Sequence, residues 1–331
     1  MLEPPPESLL HRLLPSLLAL PCALWMGLAL ALRLPLPRWL PAGIGLAVPV
    51  VLLVLLFWLP WRKGCAVFLS AFLVELTWFA ALRPSNDRNW MPDVAKIPTA
   101  VIQGSHLLIH NVRNCIYRSE FDYDARFENR DYALDKLQGM DLFLVSWGPR
   151  HIAHTILSFD FGTEGHLAFS IETRKEESQS YSTIRGFFRE YELCIVAADE
   201  RDVIRLRTNC RKETVRLYHL NGPPIEAREI LMDYLARING LAVHPEWYDA
   251  LTDNCTTAII GPIRGHSRRL PWSWKLIASG HLDEHLYDCG FLSHNLPFER
   301  LRQIAVINDR ALDADRDPAF SVRIRTGQPG F

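Results

Sequence analysis

The amino-terminal quarter of the chain constrains the fold most, because it is almost entirely apolar up to about Leu82. Three apolar stretches follow one another there, at about residues 13–32, 39–59 and 64–82. Each runs for roughly 19–21 residues, the length that a helix needs to cross the hydrocarbon core of a bilayer. We therefore predict a transmembrane region of three helices over residues 1–83.

The charges beside these stretches do not decide their orientation, because both ends carry cationic residues. With the amino terminus in the cytoplasm, Arg12, Arg62 and Lys63 would be cytoplasmic, and Arg33, Arg38 and Arg83 would lie outside. Three spans with that start place the rest of the chain outside the cytoplasm. A cleavable signal peptide is the alternative for the first stretch, but the spans after it argue against simple secretion.

The remainder of the chain has the composition of an ordinary soluble domain. The formal net charge of the whole chain is -1, so nothing points to a nucleic-acid partner. The chain has seven cysteines, which is an odd number, and no two of them have CxxC spacing. Both observations argue against a disulfide framework or a zinc ribbon. We expect no cofactor and no metal, and at least one free thiol.

Hydrophobic patterning divides the soluble part into a linker and one domain. Residues 84–96 are polar and proline-containing, which is typical of a linker, and residues 97–331 form the domain. Short apolar runs predict strands at residues 99–103, 107–112, 141–145, 191–197, 203–207 and 215–220. Residues 224–239 have an amphipathic helical pattern that Gly240 ends.

Two alternating runs around the turn at residues 162–165 predict a β-hairpin. The apolar positions of both runs are odd-numbered, so the even-numbered positions share the opposite face. These even positions are His154, Ser158, His166, Ser170 and Glu172. A three-residue loop would set His154 directly opposite Glu172. The pattern therefore brings an imidazole and a carboxylate to one polar face.

Cys255 lies where a short helix is expected to begin. Asp253 and Asn254 precede an apolar run and are typical of a helix N-cap, and the Gly-Pro pair at residues 261–262 would end the helix. A helix N-terminus stabilises a thiolate, and a neighbouring histidine can accept the thiol proton and later return it. The alternative is that Cys255 is a buried small hydrophobic residue.

Two histidines further along the chain have the spacing of a metal-binding motif. Residues 281–285 read His-Leu-Asp-Glu-His, which matches the H-x-x-E-H spacing of an inverted zinc-protease motif. A helix there would be short, because Gly280 and Gly290 flank it, and no third ligand is evident. We therefore favour the cysteine site over a metal site.

Several sequence stretches, in a specific order, resemble a bacterial domain family named after the lipoprotein N-acyltransferase Lnb, its N-terminal periplasmic domain. They are His154-Thr-Ile-Leu-Ser-Phe, Ala168-Phe-Ser-Ile-Glu-Thr-Arg-Lys-Glu, Tyr191-Glu-Leu, Ala198-Asp-Glu-Arg-Asp-Val-Ile, Asp253-Asn-Cys-Thr-Thr and Asp317-Pro-Ala-Phe-Ser-Val-Arg-Ile-Arg. The resemblance covers roughly residues 97–331. That family is similar to permuted papain-like enzymes, in which the histidine precedes the cysteine. It implies an α+β fold, a permuted papain-like (NlpC-like) domain with an antiparallel sheet and packed helices, preceded by three transmembrane helices.

The resemblance also implies a chemistry and a location. It carries over Cys255 as the nucleophile, His154 as the base and Glu172 as the orienting acid; His166 and Asn254 are further candidates for the site. The implied reaction passes through a thioester, with a membrane lipid or a lipoprotein as the substrate. The implied location is the inner (cytoplasmic) membrane, with the catalytic domain facing the periplasm. A cysteine peptidase or amidase acting on cell-envelope peptide is one alternative, and a non-catalytic envelope module is another.

Overall fold

The computed structural model describes residues 9–37, 39–148, 150–249, 261, 265 and 270–331, and for residues 9–12 it describes the backbone alone. The chain divides into two compact units. One unit holds the amino-terminal helices, up to Pro84, together with Tyr181–Glu190. The other unit consists of Ser85–Ser180 and Tyr191–Phe331.

The first unit contains three apolar helices, α1 (Leu9–Arg33), α2 (Trp39–Trp58) and α3 (Trp61–Ala81). All three are long and apolar enough to cross a membrane, which confirms the predicted helices. Glycines let α1 and α2 approach closely, since a Cβ atom added to Gly27 would lie 2.6 Å from the carbonyl oxygen of Gly45. Such small residues are typical of contacts between helices in lipid.

A short segment from the middle of the chain packs with these helices. It contains the helix α4 (Thr183–Phe187). Phe188 joins a buried cluster with Ala29 and Phe79, and its ring centroid lies 6.4 Å from that of Phe79. Arg189 donates a hydrogen bond of 2.8 Å to the carbonyl oxygen of Phe79, so it satisfies a backbone acceptor in the last turn of α3. The segment therefore covers and caps the end of that helix.

The second unit is built on an eight-stranded sheet. Its strands are β1 (Thr99–Gln103), β2 (His106–Arg113), β5 (Phe127–Ala133), β6 (Gly139–Ser146), β7 (His154–Asp160), β8 (His166–Arg174), β9 (Glu192–Ala198) and β10 (Thr214–His219). The order across the sheet is β1-β2-β9-β8-β7-β6-β10, and β5 also pairs with β2. Two further strands, β3 (Ile116–Tyr117) and β4 (Tyr123–Asp124), form a separate pair.

The sheet is mixed, so the expectation of an antiparallel sheet was wrong in one place. Strands β2 and β9 run parallel where Arg113 lies beside Ala198, whereas the other pairs of this sheet are antiparallel. About eighty residues separate the two strands in sequence, and a connection of that length can return the chain in either direction. Alternation of apolar residues indicates a strand but does not encode its direction.

Helices cover both faces of this sheet. One face packs against α6 (Pro224–Val243), α7 (Leu282–Asp288) and α8 (Phe298–Ile304), and we call it the α6 face. The other face packs against α5 (Glu200–Arg205), α9 (Asn308–Asp313) and α10 (Phe320–Arg325), and we call it the α5 face. Alternate residues of β7 enter the two cores: Leu157 belongs to the α6 face and Ile156 to the α5 face. His154 has the parity of Ile156 and therefore points to the α5 face.

The strand predicted at residues 203–207 was wrong, because these residues belong to α5 and to the π-helical turn Leu206–Cys210 that follows it. Asp199 begins the helix, and its carboxylate accepts a hydrogen bond of 2.8 Å from the backbone N–H of Arg201. Glu200 and Asp202 add negative charge to the first turn, where it is favourable. The acidic run before the apolar residues was a helix-start signal.

Helix α6 also extends beyond the predicted end, since it continues through Gly240 to Val243. Buried Leu241 packs into the α6-face core and holds the last turn in place. The amide of Asn239 exchanges two hydrogen bonds of 2.8 Å with the backbone of Ala100. Packing of the last turn outweighs the small cost of one glycine in a helix.

The residues predicted as a linker pack on the domain. Trp90 and Val94 are buried, and the guanidinium carbon of Arg174 lies 4.2 Å from the Trp90 ring centroid. The backbone N–H of Met91 donates to the carbonyl oxygen of Lys175 at 2.9 Å. This segment therefore contributes an aromatic anchor beside the end of β8.

Candidate active site

The predicted hairpin is confirmed as β7 and β8. Its register pairs Ile156 with Ser170 and Asp160 with His166. The same register, continued by two residues, sets His154 opposite Glu172, the arrangement predicted for a three-residue loop. The turn contains a short 3-10 helix over Gly162–Glu164. A polar group of an imidazole, a hydroxyl and a carboxylate thus forms on the α5 face.

Ser170 stands between the imidazole and the carboxylate. The Nε2 atom of buried His154 lies 2.8 Å from Ser170 Oγ, and this hydroxyl donates to Glu172 Oε1 at 2.7 Å. The direct distance from His154 Nε2 to Glu172 Oε1 is 3.7 Å, which is too long for a hydrogen bond. Glu172 therefore acts on His154 through the hydroxyl, a link that sequence reasoning did not find although Ser170 was placed on the same face.

This relay determines the tautomer of His154. An ionised carboxylate can only accept, and a serine hydroxyl has a single hydrogen. Because Ser170 gives that hydrogen to Glu172, Nε2 of His154 must carry the hydrogen that it donates to Ser170. The lone pair is then on Nδ1, which forms no hydrogen bond with the described residues. Nδ1 is the atom that can take a proton.

Arg207 keeps the carboxylate charged. Its Nη2 atom donates to Glu172 Oε1 at 3.1 Å, and its Nη1 atom donates to Glu213 Oε2 at 3.3 Å. Burial alone would raise the pKa of Glu172, but the charge of Arg207 outweighs it and holds this pKa well below its usual range. Sequence reasoning missed Arg207, because its position was predicted to lie in a strand.

The imidazole is neutral at physiological pH. Burial lowers the pKa of His154 to about 3, and the charge of Arg207 acts in the same direction, whereas Glu172 opposes the shift. A neutral ring is the form that accepts a proton. The imidazolium formed on acceptance would be stabilised by Glu172 through Ser170.

The low pKa of His154 makes the stability of the fold depend on pH. The unfolded chain protonates this residue near pH 6.5, whereas the folded protein does so near pH 3. The folded state therefore binds fewer protons in this window, and the free energy of unfolding falls as the pH decreases through it. From about pH 8 down to pH 5, the protonation of Glu172 does not yet contribute. Over this range we expect the free energy of unfolding of the wild type to fall by about 2 kcal/mol more than that of His154→Gln.

Chemical denaturation in mild detergent, followed by tryptophan fluorescence at several pH values, would measure this difference. The comparison is between two slopes, so the other histidines, present in both proteins, cancel. Equal pH dependence of wild type and variant would show that His154 is not buried in its neutral form.

His166 does not join this group. It begins β8, whereas His154 begins β7, so the two imidazoles lie at opposite ends of the antiparallel hairpin. His166 Nε2 lies 3.6 Å from Asp160 Oδ1. This nitrogen atom is buried and has no hydrogen-bond partner among the described residues. The structure therefore places His166 at the hairpin tip, away from Glu172.

Cys255 and Asn254 lie outside the described residues, so their roles stay predictions. Four other cysteines of the second unit are described: Cys115, Cys194, Cys210 and Cys289. Burial raises the pKa of all four thiols, to about 12 for Cys115 and about 11 for Cys194. These four are therefore poor sources of thiolate at neutral pH.

The two histidines of the H-x-x-E-H spacing have different partners. His281 Nε2 lies 3.0 Å from His151 Nδ1, and His281 Nδ1 lies 3.2 Å from Glu284 Oε2. His285 Nε2 donates to the carbonyl oxygen of Pro271 at 3.0 Å. Within the described part of the chain, no three His, Cys, Asp or Glu side chains are grouped to hold a metal ion.

Comparison with known proteins identifies the region around this site. A family model described as the Lnb N-terminal periplasmic domain matches residues 123–280. No curated protein and no solved structure shows a significant match, so the permuted papain-like order stays a prediction. The match is shorter than the resemblance over residues 97–331, but it contains the hairpin and Cys255. A periplasmic domain and three candidate spans fit a membrane protein of the cell envelope. The family predicted from the sequence is thereby confirmed over this stretch: residues 123–280 match the Lnb N-terminal periplasmic domain.

Proposed function

We propose that this chain is a membrane-anchored cysteine acyltransferase, which acts on acyl esters of a lipoprotein or a membrane lipid. One observation carries the proposal: the ring of His154 is held through Nε2 by Ser170 and Glu172, which leaves Nδ1 as the proton acceptor. A nucleophilic cysteine needs such an oriented base. Cys255 is the proposed nucleophile.

The reaction has two halves. Nδ1 of His154 takes the thiol proton of Cys255, and the sulfur attacks the carbonyl carbon of the ester. The tetrahedral intermediate collapses, the alcohol leaves with the proton from Nδ1, and the acyl group remains on the sulfur as a thioester. An amine then attacks the thioester, which forms an amide and restores the thiol. Attack by water instead would release a free acid.

Glu172 and Ser170 would act when charge develops on the ring. Neutral His154 becomes a cation as it takes the thiol proton, and a buried cation is unfavourable without a partner. Glu172 is ionised because Arg207 holds it so, and it offsets part of the cost of this charge through the hydroxyl of Ser170. This support is present before the reaction begins, so no reorganisation is needed.

The membrane spans support a lipid-linked substrate. Helices α1, α2 and α3 hold the chain at a bilayer, and an acyl ester of a lipid or lipoprotein is confined to the same surface. Tethering both partners to one surface raises their effective concentration without any new contact. A soluble peptide substrate would gain nothing from this arrangement.

Mass spectrometry of the full-length protein in lipid vesicles tests the proposal. After incubation with a phospholipid of one defined acyl chain, we expect a mass increase of one acyl group on the peptide that contains Cys255. Hydroxylamine should remove the adduct, because a thioester is cleaved readily. The matched control is Cys255→Ala, which should remain unmodified.

Three outcomes would contradict the proposal. The first is an acyl adduct that persists in Cys255→Ala. The second is an adduct on Cys255 formed from envelope peptide and not from lipid, which would favour the peptidase or amidase. The third is that Cys255 forms an adduct with neither lipid nor peptide while Cys255→Ala keeps full biological function, which would indicate a non-catalytic module.

A further inference from the structure

A second feature of the domain lies on the α6 face, where β6 pairs with β10. A cleft of about 270 Å³ opens there, and its wall includes the side chains of Ser146, Arg150, Thr214, Arg216 and Arg302. In the register of these strands Arg216 lies beside Leu144, a member of the α6-face core. The cleft is thus on the opposite side of the sheet from His154.

The main evidence for a ligand in this cleft is the hydrogen bonding of Arg216. Its Nη1 atom donates to Ser146 Oγ at 3.2 Å, but its Nε atom is buried and has no hydrogen-bond partner. No carboxylate forms an ion pair with Arg216 in the described part of the chain. A buried donor without an acceptor is costly, and this one belongs to a cation in the wall of the cleft. An anionic ligand in the cleft would supply the missing acceptor.

Two further arginines line the cleft, and each has an acidic partner beside it. Arg302 donates to Asp283 at 3.1 Å, and the same carboxylate oxygen also accepts from Tyr218. Arg150 has looser partners, with Glu284 at 3.5 Å and Glu299 at 3.9 Å. Burial and the charge of Arg302 both lower the pKa of Arg216, as expected when cations crowd together.

We propose that this cleft binds a phosphate group. A guanidinium presents its donors in a planar fork that matches phosphate oxygens, and three such groups line one small cavity. The hydroxyl of Thr214 adds a neutral donor. A cleft of this volume suits a small ligand or the headgroup of a larger one. The phosphate can come from a lipid headgroup or from a free phosphate ester, and the chemistry that recognises it is the same.

The cleft adjoins the segment that leads into β7. Ala153, which directly precedes His154, contributes to its wall, and its backbone N–H donates to Ser279 Oγ at 2.8 Å. Gly280 packs so closely against the backbone of Arg150 that a side chain there would overlap it. Occupation of the cleft is therefore expected to stabilise this segment. The proposal does not depend on acyl transfer, and its test measures binding alone.

Thermal unfolding of the full-length protein in an uncharged detergent provides the test. Inorganic phosphate is titrated at constant ionic strength against chloride. At phosphate concentrations near 100 times Kd, the wild-type Tm should rise by about 5 °C or more. The variant Arg216→Gln should bind phosphate at least about tenfold more weakly. The matched control Arg118→Gln, at an arginine that is 51% exposed and lies in the turn between β3 and β4, should bind as wild type does.

If Arg216→Gln unfolds too early to be titrated, Arg150→Gln replaces it, because that side chain is 42% exposed. Competition by short-chain phosphatidylglycerol would identify a lipid headgroup as the source, and phosphate binding without such competition would identify a free phosphate ester. The proposal is overturned if phosphate raises the Tm no more than chloride does. It is equally overturned if the folded arginine variant keeps the wild-type Kd.

Discussion

Replacing His154 with glutamine is expected to lower acyl transfer by about four orders of magnitude, close to the loss from Cys255→Ala. Glutamine keeps a polar group near Ser170 but cannot take the thiol proton. Residues that act as a unit lose most of the rate when any one of them is removed. The double variant should therefore be little worse than either single variant. The measurement is the rate of transfer from a phospholipid of defined acyl chain.

The relay behind His154 predicts smaller, graded losses. Ser170→Ala removes the hydroxyl between Nε2 and the carboxylate, and Glu172→Gln removes the charge that Arg207 holds in place. Each should lower kcat by about 10- to 100-fold, with a smaller change in KM, because the charge on the ring appears only during the reaction. Both variants keep His154 and Cys255, so the thioester should still form slowly.

His281→Gln is the matched control for these variants. His281 is also a largely buried imidazole in a chain of hydrogen bonds, between His151 and Glu284. The proposed mechanism gives it no proton to transfer, so its variant should keep at least about half of the rate. If His281→Gln lost acyl transfer while His154→Gln kept normal activity, the base would belong to the His151–His281 pair. That result would refute the assignment of His154 as the base.

The local parts of the site could be predicted because alternation along a strand has a period of two. That period is sufficient to predict the hairpin and the shared face of His154 and Glu172, whereas the exact register also depends on the length of the loop. The amino-terminal helices were equally accessible, since length and hydrophobicity alone indicate a span. In both cases the signal comes from neighbours in the sequence.

The long-range partners could not be predicted in the same way. Arg207 reaches Glu172 from a π-helical turn, 35 residues further along the chain. Arg216 lines its cleft because β10 pairs with the edge of β6, which no local pattern specifies. The parallel contact of β2 with β9 has the same origin. Charged residues that pair across the fold leave little trace in a single sequence, because a lone arginine has the same appearance on a surface.

The terminal motif contains another arginine whose partners lie far away in the sequence. Arg325 ends the stretch at residues 317–325 that contributed to the family resemblance, yet it lies outside the matched residues and away from the hairpin relay. Its guanidinium is buried between two carboxylates. It donates to Asp141 Oδ2 at 2.7 Å and to Glu200 Oε1 at 2.6 Å. Arg325 therefore holds the last helix, α10, against the α5 face of the sheet.

Replacing Arg325 with methionine is expected to lower the free energy of unfolding by about 3–5 kcal/mol at neutral pH, because two buried carboxylates lose their guanidinium partner. Burial alone would raise the pKa of Glu200, but Arg325 outweighs it and lowers this pKa to about 2. Pairing therefore adds stability above about pH 4.5, and this part is lost as the pH falls toward 2.

The destabilisation by Arg325→Met should consequently shrink at acidic pH, where Glu200, without its guanidinium partner, can bind a proton and become neutral. Arg323→Met is the matched control: the residue lies on the same helix, its side chain is 56% exposed, and its loss should cost less than about 0.5 kcal/mol. Denaturant titrations of both variants at about pH 7 and pH 4 separate the two contributions. A constant penalty across this range would mean that lost packing, and not unpaired charge, destabilises the variant.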